Sequence, residues 1–171
     1  MRLKDLRLEN WSVHEEIKVS FNDGLEISGR NGSGKSSILE ALRFMFAKTG
    51  HGYNRFIQNG CRQALAQLEF THDSSTYRLV KNLHVEKQST VGLYRDDVQV
   101  ADNATSAYQQ MQDILAEDVI DKLLYVRQGE LTLVLDRLSG REGKTELDRL
   151  FGLDKLETVW NKSGEIGRAH V

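Results

Sequence analysis

This chain of 171 residues contains no proline and a single cysteine. No stretch approaches the roughly 18 consecutive apolar residues of a membrane span. The start, MRLKDLRLEN, alternates charge with apolar residues, which excludes a signal peptide. Cys61 alone cannot form an internal disulfide, so the expected compartment is reducing: cytoplasmic and nucleoid-associated, or nuclear. An excess of one charge is also missing. Lys and Arg number 23 against 25 Asp and Glu, a formal net charge of −2, so the footprint of a dedicated nucleic-acid binder is lacking. From Arg137 onward acidic residues are interleaved with basic ones, as on a solvated mixed-charge surface. Composition neither asks for DNA nor excludes it. The missing proline has no physical explanation in the sequence. No internal repeat and no low-complexity linker divides the chain.

What is present fits one domain with an appended element, long enough to bury a sizeable core. Leu3, Leu6 and Leu8 lie among charges, and Ile17, Val19 and Phe21 alternate with Lys18 and Ser20, the period of half-buried strands. Asn22-Asp23-Gly24 is a turn signal, after which Leu25 to Ser28 reads as a short strand entering a glycine-rich loop. Lys35 to about Lys48 is helical. Apolar residues cover most of its circumference and leave a narrow polar stripe, so it is expected to be buried between layers. Ala64 to Phe70, Tyr77 to Val85, Val91 to Arg95 and Val98 to Val100 read as antiparallel strands, with turns near Asp73-Ser74-Ser75 and Asp96-Asp97. Ala104 to Leu115 reads as a helix, and Leu123 to Val126 as another short strand leading to Arg127-Gln128-Gly129.

Gly29-Arg30-Asn31-Gly32-Ser33-Gly34-Lys35-Ser36 fits G-x-x-x-x-G-K-[ST], the Walker A phosphate loop. The glycines let successive backbone N–H groups point inward as a nest for phosphate oxygens. The helix behind them presents unpaired N–H groups and the positive end of its dipole to the same anion. Lys35 would bridge the β- and γ-phosphates of ATP, and the Ser36 hydroxyl would ligate Mg²⁺. A strand before the motif and an apolar helix after it form the context that separates it from a chance match.

Two further stretches imitate ATPase motifs. Leu131 to Leu135 followed by Asp136 looks like a metal-site strand, but Arg137 stands where a catalytic glutamate is needed. Leu131, Val134, Leu135 and Leu138 also fall at helical spacing. Leu138-Ser139-Gly140-Arg141 begins like an ABC signature and breaks at its fourth position; Ser139 and Glu142 read better as a capping box. The chain thus holds a phosphate loop without a convincing acidic partner for it. Cys61, His14 and Trp160, as lone residues, receive no functional role.

With Leu3 to Asn10-Trp11, the run Gly29 to Ser37, Leu124 to Glu130, and Leu150-Phe151-Gly152-Leu153-Asp154-Lys155-Leu156-Glu157, the sequence resembles the N-terminal ATPase segment of SMC-type proteins. The double-strand-break repair ATPases of the SbcC/Rad-fifty branch match best. The resemblance implies an α/β fold: an ABC-type P-loop ATPase half-head, with a mixed sheet plus an antiparallel β subdomain wrapped round a buried P-loop helix. Residues 1–152 would form the N-terminal lobe, and 153–171 the start of a truncated coiled-coil helix and tail. Nucleotide contacts would come from Arg30, Asn31, Gly32, Ser33, Gly34, Lys35, Ser36 and Ser37. Gln128 would be the Q-loop glutamine, acting with Lys35 in catalysis and with Ser36 at Mg²⁺. A C-terminal lobe of the same ATPase would supply Walker B and the signature motif. Two heads would dimerise around ATP, bind DNA and work with an Mre-eleven-type nuclease.

The sequence departs from that pattern at two places. Ser12-Val13 follow Trp11 where the family often has Arg-Ser, a point of nucleotide contact. Leu153, Leu156, Trp160 and Ser163 sketch about two heptads, fewer than a coiled coil needs. Gly164 and Gly167 oppose a continuing helix at roughly 1 kcal/mol each, so the tail is expected to be a truncation. Alternatives are another SMC, RecF- or RecN-like ATPase, a self-contained P-loop kinase or GTPase, and a module in which nucleotide is only a folding ligand. Asn161-Lys162-Ser163-Gly164 lacks the Asp of a GTPase base-reading motif.

Overall fold

Period-2 burial organises the chain into one six-stranded sheet. The computed structural model describes residues 1–22, 24–48 and 52–115, all within the compact unit Met1–Ile120. The strands are β1 (Arg2–Trp11), β2 (His14–Ser20), β3 (Gln63–His72), β4 (Ser75–His84), β5 (Thr90–Arg95) and β6 (Val98–Ala101). The helices among the described residues are α1 (Lys35–Phe46) and α2 (Ala104–Ile114), with one 3-10 turn at Asn54–Phe56. The spatial order is β2-β1-β3-β4-β5-β6, and every ladder is antiparallel.

Turn chemistry fixes the register. Asp73 and Ser74 at φ 46 and 67, and Asp96 and Asp97 at φ 47 and 64, form two-residue hairpin loops. Paired left-handed residues twist such loops to match their strands, and Asp is among the residues that tolerate this. The register then puts Leu6 beside Val19 and Leu68, Leu68 beside Leu79, and Leu79 beside Leu93. Phe70 and Tyr77 stack at 5.2 Å on the same face. Leu6, Leu8, Ala64, Ala66, Leu68, Phe70, Leu79, Leu83 and Leu93 are buried there, and both helices pack on elements of this sheet. Asn103 starts α2 by accepting the Ser106 N–H at 2.9 Å, an N-cap.

Two expectations need correction in detail within the α/β class. Leu25 to Ser28 does not join the sheet: it has no ladder partner among the described residues, and Leu25 is 42% exposed. A strand exists only where a neighbour takes up its N–H and C=O groups, and none does so among the described residues. The α/β class is as expected, and among the described residues the pairing is antiparallel throughout. Helix α1 buries Ser37, Ile38, Ala41, Phe44, Met45 and Phe46, yet Leu39 is 48% exposed. The apolar circumference read from the sequence is wider than the face these residues cover. The expected strand Leu123 to Val126, Gln128, Asp136, the Ser139 box and the 152/153 boundary lie outside the described residues.

Candidate phosphate-binding site

The site is built at the N-terminal end of α1. Gly29, Gly32 and Gly34 take φ of 152, 82 and 87, and Gly34 is the left-handed residue from which the helix starts. L side chains avoid these values, so glycine is required by the backbone path. The N-cap residue of α1 is Gly34, which has no side chain to cap it, and the first turn holds no acidic residue. By helix geometry the Lys35 and Ser36 amides are left over at this end, and with the dipole they favour an anion.

The Lys35 ammonium folds back across the loop, donating to the Gly29 and Arg30 carbonyls at 2.8 Å each. Ser33 N–H closes a turn onto the Arg30 carbonyl at 3.2 Å. Arg30, Asn31, Gly32, Ser33 and Ser36 are exposed, so the loop presents an open, polar, donor-rich surface. Ser37 is turned the other way: 7% exposed, its hydroxyl donates to the Gly34 carbonyl at 2.7 Å. Ser37 thus serves the helix's own first turn in this conformation. Among the described residues, no group of three or more His, Cys, Asp or Glu could hold a metal ion. A cation here would depend on oxygens such as the Ser36 hydroxyl together with phosphate and water, which suits Mg²⁺. Gln128 cannot be placed relative to it, since it lies outside the described residues.

Three residues that support this site carry no local motif. Trp11 is fully buried, stacked on Phe44 at 5.4 Å and Phe56 at 5.2 Å, and its indole N–H donates to the Ser37 carbonyl at 2.8 Å. His14 Nε2 lies 3.3 Å from the Gly34 carbonyl oxygen. Lys81 of β4 is 5% exposed and donates to the Phe44 carbonyl at 2.8 Å and to the Ala47 carbonyl, closing the far end of α1. A signal for Lys81 existed: strand parity places it with Tyr77, Leu79 and Leu83 on the core face. Trp11 and His14 act 26 and 20 residues along the chain, beyond any local pattern.

The loop 29–36 and the helix start behind it have the form of a Walker A motif, and comparison with known proteins gives the family. The chain belongs to the AAA domain family, whose profile matches residues 5–159. It is similar to a DNA double-strand break repair Rad50 ATPase of Methanococcus maripaludis, 29% identical over 176 residues, covering 99% of this chain and 18% of that protein. The corresponding Rad50 ATPase of Methanocaldococcus jannaschii is 29% identical over 171 residues, covering 97% of this chain and 17% of that protein. The chain therefore spans under a fifth of the length of these curated relatives. The expected resemblance to a Rad50/SMC-type ATPase segment is found. An SMC head domain from Thermotoga maritima covers 67% of this chain and is itself covered to 42%, at 23% identity and TM-score 0.48. That structural likeness is too loose to carry a conclusion. Among the described residues, no helix is long and apolar enough to cross a membrane.

Proposed function

We propose that this chain binds Mg-ATP through Gly29 to Ser36 and forms the N-terminal lobe of an ABC/SMC-type ATPase head acting in DNA double-strand-break repair. The observation that carries the reading is the unfinished N-terminus of α1. Three positive-φ glycines lead into a helix with no side-chain cap, and a lysine ammonium lies across the loop. An ammonium has three donors. Lys35 spends two on the loop carbonyls, so the third can reach a phosphate without releasing the loop. Backbone amides and Lys35 would then stabilise charge on the γ-phosphate during in-line attack by water. The Ser36 hydroxyl, with Gln128, would hold Mg²⁺, whose contribution is to neutralise phosphate charge.

In this reading the chain needs a C-terminal lobe for the Walker B carboxylates and the signature motif. ATP drives two heads together, DNA binds the engaged pair, and an Mre-eleven-type nuclease is the partner. Support for the repair assignment is the similarity to Rad50 ATPases along nearly the whole chain. The experiment is to measure Mg-ATP hydrolysis and light scattering for this chain, for a separately expressed C-terminal segment from the same source, and for the mixture. Activity confined to the mixture, with ATP-dependent doubling of mass, is expected. Equal turnover by this chain alone, lost in Lys35→Ala, would mean a complete active site here and would end the split-head reading.

A further inference from the structure

The corner between β1 and β2 touches the phosphate loop at a point that the loop motif itself does not require. His14 Nε2 lies 3.3 Å from the Gly34 carbonyl oxygen. A Cβ added at Gly34 would run into the His14 ring and come within 2.6 Å of Val13 Cγ2. The corner is anchored. Trp11, which pairs with His14 across the two strands, is buried and bonded to the Ser37 carbonyl. The Ser12 N–H donates to the Phe56 carbonyl, and the Gln58 N–H to the Asn10 carbonyl.

We propose that His14 is a positioning residue for the phosphate cradle, holding the Gly34–Lys35 peptide in one orientation by donating from Nε2 to the Gly34 carbonyl. This rests on reading Gly29 to Ser36 as a nucleotide site. A trans peptide is planar, with its C=O and N–H directed oppositely. Holding the Gly34 carbonyl against the helix body therefore aims the Lys35 N–H out of the helix N-terminus, where an anion is received. Gly34 sits at φ 87, ψ 11, and a glycine peptide can rotate away from such a position at little steric cost. The carbonyl also accepts from the Ser37 hydroxyl at 2.7 Å and from the Ser37 and Ile38 amides at 3.1 and 3.2 Å. Those donors all belong to α1 and move with it. His14 comes from β2, so it ties the peptide to the sheet.

The test uses the whole 171-residue chain as wild type, His14→Ala, His14→Gln and Lys35→Ala. Without nucleotide, amide hydrogen exchange at Ser37 and Ile38, whose N–H groups bond the Gly34 carbonyl, should quicken about three- to tenfold in His14→Ala, the loss of one hydrogen bond, and return in His14→Gln, which keeps a donor. Exchange in β3 and β4 should stay unchanged. Mg-ATP affinity should fall by a similar factor in His14→Ala, recover to within about twofold in His14→Gln, and collapse in Lys35→Ala. Wild-type exchange and affinity in His14→Ala, or no recovery in His14→Gln, would overturn the proposal. If His14→Ala loosens β3 and β4 as well, His14→Leu against His14→Gln separates bulk from donor, and equal behaviour of those two overturns it. Altered exchange in a chain whose wild type binds no Mg-ATP would instead sink the nucleotide reading and leave the His14 tie standing.

Discussion

The two ends of α1 are finished in opposite ways. At the C-terminal end the last carbonyls meet Lys81, a buried ammonium that also lies 4.9 Å from the Phe44 ring centroid. At the N-terminal end no side chain caps the helix, and the loop before it is exposed. Protein helices normally satisfy both ends, because unpaired backbone groups are costly once desolvated. Among the described residues one end is closed by Lys81 and the other is left uncapped, which suits the proposed role of a helix whose positive end receives an anion. Trp11 and His14 hold that end from behind.

The largest expected effect comes from removing that support. Trp11→Ala deletes a fully buried ring wedged between Phe44 and Phe56, together with the bond to Ser37. Denaturant unfolding should show a loss of about 3–5 kcal/mol. A loss below about 1 kcal/mol would mean that the first turn of α1 does not depend on the sheet. Lys35→Ala should behave in the converse way. Among the described residues its ammonium bonds carbonyls of the exposed loop itself, so stability should hold within about 0.5 kcal/mol. Mg-ATP affinity, read by calorimetry, should fall on the order of a hundredfold, about 2.7 kcal/mol. If Lys35→Ala instead unfolds the chain while nucleotide affinity survives, the open end is structural and the contrast between the two ends disappears.

Lys81 sharpens the closed end. Lys81→Met keeps the aliphatic stem and removes the ammonium, leaving the Phe44 and Ala47 carbonyls without this donor. A cost of about 1–3 kcal/mol is expected in thermal or denaturant unfolding. Replacing a buried charge by an apolar chain can also be neutral or stabilising. A Lys81→Met variant as stable as wild type would therefore show that the stem, rather than the charge, closes the helix.

What was legible beforehand follows the range of the interactions. The β3–β4 hairpin can be read because Asp73-Ser74 carry their own backbone preference and the flanking strands alternate; in β5–β6 the burial does not alternate, and the turn residues Asp96-Asp97 alone mark it. The backbone path of the loop 29–36 is legible for the same reason: its glycines answer to local backbone geometry. Leu25 to Ser28 was misjudged because apolar alternation reports a surface able to pair, not the presence of a partner. Trp11 and His14 were invisible as site residues, since what they bond is set by how the β1–β2 corner packs on α1. Lys81 lay between. Its parity was readable, but the carbonyls that make burial tolerable belong to a helix 34 to 37 residues earlier.

The smallest expected effect lies far from α1, in the β5–β6 turn, and it serves as a control on the comparison. The Asp96 carboxylate accepts the Thr76 N–H at 2.9 Å. That backbone bond first, then the Ser75 side chain, holds its pKa below the ordinary 3.8. A carboxyl whose folded pKa is depressed contributes stability that is fully present above its unfolded value and is lost as pH falls through the folded one. Wild type should therefore be slightly more stable than Asp96→Ala at pH 7, and the difference should shrink once pH drops below about 4. The group is exposed, so the change is small. Mg-ATP affinity should not respond to the substitution at any pH. If it does, the turn and the phosphate loop are energetically linked through the sheet, and the open end of α1 is governed by more than the residues that touch it.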